Sequence, residues 1–271
     1  MKIATWNVNG IRARAAEVLA FVQREEPDVL CLQEIKASPE HVPQALCELD
    51  YWCFWHGYKG YSGVSLHLSK RTFPGQPRFT HPEFDHETRI VTVRLGDLVL
   101  ASAYVPNGGK DLPAKIRFLE GLEGFAARAQ AEGARLVICG DLNVAREERD
   151  VHPKLRKQDQ IGTTAQEREL LEKIIGHGLV DLARKFAPDD DRLFTWWAPW
   201  RNLRERNIGW RIDYVLASAS VAEKATACTG FREFGTSDHG PLQAVLEIPP
   251  PAYEPAAEIP PPPPAGQIPL L

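Results

Sequence analysis

Leu136-Val137-Ile138-Cys139-Gly140-Asp141-Leu142-Asn143-Val144 is a short apolar run that breaks at a glycine and then presents an acid and an amide two residues apart. A run this apolar, short and rich in β-branched residues fits a strand covered on both faces, although periodicity alone does not separate it from a buried helical segment. Gly140 lets the backbone turn or approach another group closely. If the extended conformation continues, Asp141 and Asn143 project to the same side and can serve one ligand or one water.

The same arrangement recurs on either side of this stretch. Lys2-Ile3-Ala4-Thr5-Trp6 is strand-like and ends at Asn7-Val8-Asn9-Gly10, after which Ile11, Ala15, Val18, Leu19 and Val22 repeat at helical spacing until Pro27. Asp28-Val29-Leu30-Cys31-Leu32 is the next apolar run and ends on Gln33-Glu34. Ser38-Pro39-Glu40 has a helix-start pattern, a capping serine with proline at the first helical position. Tyr51 to Tyr58 is aromatic and strand-like, Val64 to Leu68 alternates as a half-buried strand does, and Arg71 to His86 reads as a proline-rich excursion. Gly96-Asp97 between two apolar runs predicts a hairpin whose second arm ends in Tyr104-Val105-Pro106-Asn107. Helices are expected around Pro113 to Ala131 and Thr164 to Ile175, with the basic loop Arg146 to Lys157 between them. Further on come Phe194-Thr195-Trp196-Trp197-Ala198-Pro199-Trp200, Gly209-Trp210-Arg211-Ile212-Asp213-Tyr214, and Ser237-Asp238-His239 ahead of a last strand.

Polar groups thus stand at the carboxyl ends of four strand-like runs: Asn7, Glu34, Tyr104 with Asn107, and Asp141 with Asn143. They also stand at the amino ends of two later runs, Asp213 and Asp238 with His239. In mixed or antiparallel sheets the carboxyl end of one strand lies beside the amino end of its neighbour, so all six sets can converge on one edge. Taken singly, an Asp or Asn after a strand reads as a turn residue. Together they form a hard-oxygen cluster suited to Mg²⁺ rather than zinc, and Mg²⁺ held by one or two carboxylates fits a phosphoester substrate. Adjacent side chains point apart on an extended chain, so Asp213 is a better orienting partner for His239 than Asp238 is. Trp196 and Trp197 read equally well as core packing. Trp200 and Trp210 bracket Arg201, Arg204 and Arg206, and aromatics interleaved with arginines suit a nucleic-acid contact.

Composition sets the outer bounds. The 271 residues suit one large sandwich or barrel, and a net charge of −4 gives no global reason to bind nucleic acid, so such a partner must meet a local patch. Five cysteines without CxxC spacing read as reduced packing residues. No apolar run approaches membrane-spanning length and no basic leader opens the chain, so a soluble, cytoplasmic protein is expected. Composition turns to proline at Pro249, which divides a catalytic domain, 1–248, from a tail, 249–271.

Seven motifs, WNVNG (6–10), LQE (32–34), GYSGV (60–64), YVPN (104–107), GDLN (140–143), GWRIDY (209–214) and SDH (237–239), resemble in order and spacing the exonuclease III family of apurinic/apyrimidinic (AP) endonucleases. LQE, GDLN and SDH are shared across the wider endonuclease, exonuclease and phosphatase superfamily. GWRIDY with the Trp-rich loop points to the abasic-DNA branch. The resemblance implies a four-layered αββα sandwich, two mixed sheets face to face with helices outside. It implies Glu34 as principal Mg²⁺ ligand, with Mn²⁺ as substitute, and Asn7 and Asp238 beside it. Asp141 and Asn143 are implied at the attacking water and the metal, His239, oriented by Asp213, at the phosphate and the metal, and Tyr104 and Asn107 as phosphate contacts. Trp196, Trp210 and Ile212 match a pocket for an extruded baseless sugar, whose missing base lowers the unstacking cost. Lys110 stands where a relative inserts an arginine into DNA, and Trp200 where it has methionine; both bear on the grip on the duplex.

The expected activity is hydrolysis of the phosphodiester 5′ to abasic sites in double-stranded DNA, with 3′-5′ exonuclease and 3′-phosphodiesterase or phosphatase action on 3′-blocked ends. The alternatives are a superfamily phosphatase acting on a phosphoinositide or other phosphomonoester, and a non-catalytic DNA-binding relative. Gln267-Ile268-Pro269-Leu270-Leu271 resembles short peptides that bind bacterial sliding clamps.

Overall fold

The computed structural model describes residues 1–256. Its first half runs β1 (Lys2–Asn7), α1 (Ile11–Glu25), β2 (Val29–Gln33), α2 (Gln44–Cys47), β3 (Tyr51–Tyr58), β4 (Tyr61–Ser69), β5 (Phe79–Thr80), β6 (Ile90–Leu95), β7 (Leu98–Tyr104) and α3 (Leu112–Ala131). Its second half runs β8 (Arg135–Asp141), α4 (Ala165–Gly176), β9 (Leu179–Asp181), α5 (Leu182–Phe186), β10 (Asp213–Ser218), α6 (Ala219–Ala222), β11 (Ala225–Gly230) and β12 (Leu242–Leu246). Two six-stranded mixed sheets form, ordered β11-β12-β1-β2-β4-β3 and β5-β6-β7-β8-β10-β9.

The side-chain alternation of β8 makes the layers visible. Val137 and Cys139 point into the core between the sheets, where they join Cys31, Val64, Leu66, Val91, Leu100, Val215 and Ala244. Leu136 and Ile138 point the other way and are covered by Phe118, Leu119 and Leu122 of α3 and Leu171 and Ile174 of α4. On the other sheet, Ala4, Trp6, Leu30 and Leu32 are covered by Val18, Phe21 and Val22 of α1 and Leu46 of α2. A strand buried on both faces must be apolar at consecutive positions, and β8 is. Four layers, αββα, follow. All five cysteines are free thiols, and Cys31 and Cys139 fill the inter-sheet core.

Local signals account for most boundaries. Gly96 takes φ +59° in the β6–β7 turn, and Thr164 caps α4 in a reciprocal pair with Glu167. The expected helix at Ser38-Pro39-Glu40 is only a 3₁₀ turn, Pro39–His41, because Pro43 cannot continue it and restarts the chain as α2. Two edge strands, β9 and β11, lack a strand-like pattern: β9 has three residues, and β11 (ATACTG) is half exposed. Composition changes at Pro249, yet the chain stays against the domain through Ala256. Tyr253 packs on Phe73 with its hydroxyl on the Gly75 carbonyl, and the Ala256 N–H donates to the Gln76 carbonyl at 2.8 Å. The clamp-like peptide Gln267–Leu271 lies outside the described residues. Among the described residues, no helix is long and apolar enough to cross a membrane.

Candidate active site

Register brings the polar strand ends together. Asp141, the last residue of β8, is paired with Tyr104 of parallel β7 on one side and with Asp213 of antiparallel β10 on the other. In the facing sheet Asn7 pairs with Gln33 of parallel β2, so Glu34 follows at the same edge. Gly140 is required here: at φ +145°, a Cβ would lie 1.9 Å from the Ala103 carbonyl oxygen of β7. Close approach, rather than a turn, explains this glycine.

His239 arrives from the loop before β12, which is tied down from several directions. The Trp6 indole donates to its carbonyl at 3.1 Å, Trp197 N–H to the Asp238 carbonyl at 2.9 Å, and Ser237 Oγ to the Asn7 carbonyl at 2.7 Å. His239 Nδ1 meets Asp213 Oδ2 at 2.9 Å, and the Ile212 and Asp213 N–H groups are both fixed on Thr195 Oγ1 at 3.1 Å. Asp238 points away, accepting from Trp196 Nε1 at 2.9 Å and Asn9 Nδ2 at 2.8 Å. Asp213, not Asp238, is thus the carboxylate on the His239 ring. Burial opposes a charge on His239, but Asp213 and then Asp141 outweigh it and push its pKa up to about 10. Its Nε2 lies 3.8 Å from Asp141 Oδ2, too far for a hydrogen bond, so that N–H can be given to an incoming oxygen.

Asp141 is almost wholly buried, and its pKa is pushed up to about 7, first by burial and then by the negative charges of Asp213 and Glu34, against the pull of His239. Its Oδ1 accepts from the Asn143 backbone N–H at 2.9 Å, and its Oδ2 from Asn7 Nδ2 at 2.9 Å and Asn143 Nδ2 at 3.2 Å. Asp141 and Asn143 do share one side, but not through continued strand. The strand ends at Asp141, and Asn143 sits at φ +51° in a turn closed by the aspartate side chain. Asn7 is corrected from metal ligand to orienting group. The Asn9 N–H, which can only donate, takes Asn7 Oδ1 at 3.0 Å and turns the amide nitrogen onto Asp141. Asn107 Nδ2 meets Asn143 Oδ1 at 3.2 Å. Beneath these loops Lys115 of α3 is fully buried, paired with Glu167 of α4 at 2.5 Å, and donates to the Asn143 carbonyl at 2.6 Å and the Asn107 carbonyl at 3.2 Å.

Glu34 faces this cluster from the other sheet. It accepts a hydrogen bond from the Tyr104 hydroxyl and pairs with Lys36 Nζ at 2.8 Å. Burial raises its pKa, but the bonds from Lys36 and Tyr104 win and hold it below the usual carboxylate range. Lys36 Nζ also reaches Asn9 Oδ1 at 2.6 Å, so Glu34, Asn9 and Asp238 form one connected rim. Asn9 and Lys36 were not anticipated. Asn9 lies at strand period from Asn7, which was the available signal, whereas a lysine beside an acid reads as surface. That this oxygen rim already holds an ammonium group between Glu34 and Asn9 shows that it favours a cation, and its donors are the hard-oxygen type. Asp141, Asp213 and His239 also lie within 4.8 Å of one another. The Glu34 rim, with hard-oxygen donors, suits Mg²⁺ better than this cluster, in which one of the three donors is an imidazole nitrogen.

A cavity of about 690 Å³ opens beside these groups, walled by Glu34, Tyr104, Asn143, Trp196, Trp210 and Ile212. Trp196 and Trp210 meet edge to face with centroids 6.2 Å apart. Trp200 also lines it and is 60% exposed. Arg201 and Lys110 are exposed and stand outside the wall, while Lys157, from the basic loop, lines it. Arg204 is corrected from DNA contact to framework. Its guanidinium donates to the carbonyls of Arg232 at 2.7 Å, Phe234 at 2.8 Å, Gly235 at 3.2 Å and Ser237, and it packs over the Trp197 ring. It braces the loop that carries Asp238 and His239.

Residues 4–239 match the Endonuclease/Exonuclease/phosphatase family profile. The chain is 31% identical over 255 residues to the Exodeoxyribonuclease of Bacillus subtilis (strain 168), covering 92% of this chain and 100% of the relative. It is 33% identical over 262 residues to the DNA repair nuclease APEX1 of Danio rerio, covering 92% and 83%. Among solved structures, the AP endonuclease from Archaeoglobus fulgidus superposes with a TM-score of 0.82 at 30% identity, covering 92% of this chain and 100% of that one. Fold, edge chemistry and these matches agree: the chain belongs to the endonuclease/exonuclease/phosphatase family.

Proposed function

We propose that this protein is a DNA repair nuclease that hydrolyses the phosphodiester 5′ to abasic sites in duplex DNA, with 3′-5′ exonuclease and 3′-phosphatase action on related ends. The observation that carries the reading is the apolar chamber of Trp196, Trp210 and Ile212 opening directly onto His239 and Asp141. A flipped sugar lacking its base fits against these rings, and its 5′ phosphate then lies at the charged edge. The relatives' names, an exodeoxyribonuclease, a DNA repair nuclease and an AP endonuclease, support the same substrate class.

In this reading the imidazolium of His239 donates Nε2–H to a nonbridging phosphate oxygen and stabilises the charge that grows there. Asp213 holds the ring in position and keeps its proton. Asp141, with a pKa near neutrality, accepts a proton from the attacking water, while Asn7 and Asn143 fix the carboxylate's direction. Asn107 offers a donor to the phosphate, while Tyr104, whose hydroxyl proton goes to Glu34, fixes that carboxylate beside it. Glu34, with Asp238 and Asn9, would hold Mg²⁺, or Mn²⁺ in its place, which when bound neutralises phosphate charge. Attack in line breaks the bond to the upstream 3′ oxygen and leaves a 3′ hydroxyl.

The test is incision of a labelled duplex carrying one tetrahydrofuran abasic analogue, with Mg²⁺ or with chelator, beside the same duplex with an intact base. Metal-dependent cleavage 5′ to the analogue alone is expected. No cleavage of either duplex refutes the proposal, and 3′-end digestion of both would make the exonuclease the main activity.

A further inference from the structure

We propose that His56, His81 and Asp85 form a second divalent-metal site, of the borderline class typified by Zn²⁺, that clips together the open edges of the two sheets. One donor atom from each lies within 4.8 Å of the others, and none of the three lines the catalytic cavity. They come from two segments far apart in the chain, β3 and the β5–β6 connection. His56 lies on β3, the edge strand of one sheet, His81 follows β5, the edge strand of the other, and Asp85 sits in the loop between β5 and β6. Two imidazoles and one carboxylate are the mixed nitrogen and oxygen set that borderline ions prefer, and Mg²⁺ does not.

The group is organised as a site and not only as an ion pair. His56 Nε2 lies 2.6 Å from Asp85 Oδ2, and the Asp85 carboxylate is fully buried. Its other oxygen accepts the Arg89 backbone N–H at 2.8 Å, the kind of bond that fixes a ligating carboxylate. An ion pair needs no second histidine, yet the His81 ring stacks on His56 with centroids 4.7 Å apart and planes at 20°. His81 is exposed, so its ring can tilt towards a shared ion and leave a further position open to water. The turn that presents His81 and Asp85 is closed by Asp85 N–H on the Pro82 carbonyl at 3.0 Å.

The location gives such an ion a consequence. Asp85 anchors Arg89, whose guanidinium lies 4.9 Å from the centre of the Tyr104 ring, and Tyr104 donates to Glu34. Occupancy would stiffen the support beneath Tyr104 without touching the cavity.

The experiment is equilibrium dialysis of the full chain against Zn²⁺, with metal content and thermal midpoint read for wild type, His81→Ala, Asp85→Asn and Glu34→Gln. His81 is exposed, so its alanine variant should fold, which circular dichroism checks. Wild type and Glu34→Gln should each bind one more zinc per chain than His81→Ala, and zinc should raise their midpoints but not that of His81→Ala. Affinity should fall by about tenfold or more in His81→Ala and Asp85→Asn. Equal zinc content and equal midpoint shifts in wild type and His81→Ala overturn the proposal. So do absence of zinc from wild type and loss of the ion in Glu34→Gln alone, which would assign it to the catalytic rim.

Discussion

Replacing Arg204 separates its two readings, a DNA contact or a framework brace. The guanidinium makes four hydrogen bonds to the carbonyls of residues 232, 234, 235 and 237 and packs over Trp197. Bonds from a charged donor contribute about 1.5–3 kcal/mol each, but these are partly exposed and water replaces some of them, so Arg204→Ala should cost roughly 2–4 kcal/mol. The loop it braces carries Asp238 and His239, and a shift of about 1 Å in such a group costs on the order of a hundredfold in turnover. Urea unfolding followed by tryptophan fluorescence, and kcat on the abasic duplex at several salt concentrations, are the assays. The expected result is a lower midpoint and lower kcat with an unchanged salt slope. Arg204→Lys should recover only part, since an ammonium cannot reach four divergent carbonyls. An unchanged midpoint, with binding weakened and the salt slope reduced by about 1, would restore the DNA-contact reading and refute the brace.

Asp213→Asn should leave the fold intact and lower turnover by about 10²–10⁴, because an amide holds neither the ring's proton nor its charge; wild-type turnover would remove Asp213 from the site. The rate on the abasic duplex should rise with pH as Asp141 loses its proton near about 7 and fall as His239 loses its own near about 10. The raised histidine pKa also means that its pairing stabilises the fold fully below about 6.5 and is lost as pH passes through about 10. Asp213→Asn should move the falling limb to lower pH, and a flat profile from pH 6 to 10 would contradict both assignments. Glu167→Gln leaves the ammonium of Lys115 buried without its partner charge and should cost about 3–5 kcal/mol in urea unfolding; an unmoved midpoint would show that the pair adds nothing. Glu34→Gln should raise the Mg²⁺ concentration needed for half-maximal rate, and an unaltered titration would place the metal elsewhere.

What the sequence determined by itself is what depends on neighbours along the chain. Apolar runs covered on both faces, the Gly96-Asp97 hairpin, the Thr164 cap and the recurrence of Asn, Asp and Glu at strand ends were all legible, because periodicity and turn chemistry are local. Their convergence was legible too, since strand direction alone places carboxyl and amino ends at one edge. Short or half-exposed edge strands such as β9 and β11 carry no such pattern, and Pro43 overrode a good start signal at Ser38. Only the tertiary structure decided how side chains far apart in sequence pair. Asn7 turns to Asp141 because the Asn9 N–H claims its oxygen, and Arg204 points inward because the 232–237 carbonyls need donors. Lys36 joins the Glu34 rim, and His56 meets Asp85 across the two sheets' edges. A hydrogen bond depends on distances of a few tenths of an ångström between groups far apart in sequence, 134 residues for Asn7 and Asp141 and 233 for Trp6 and His239, and packing, not composition, sets those distances.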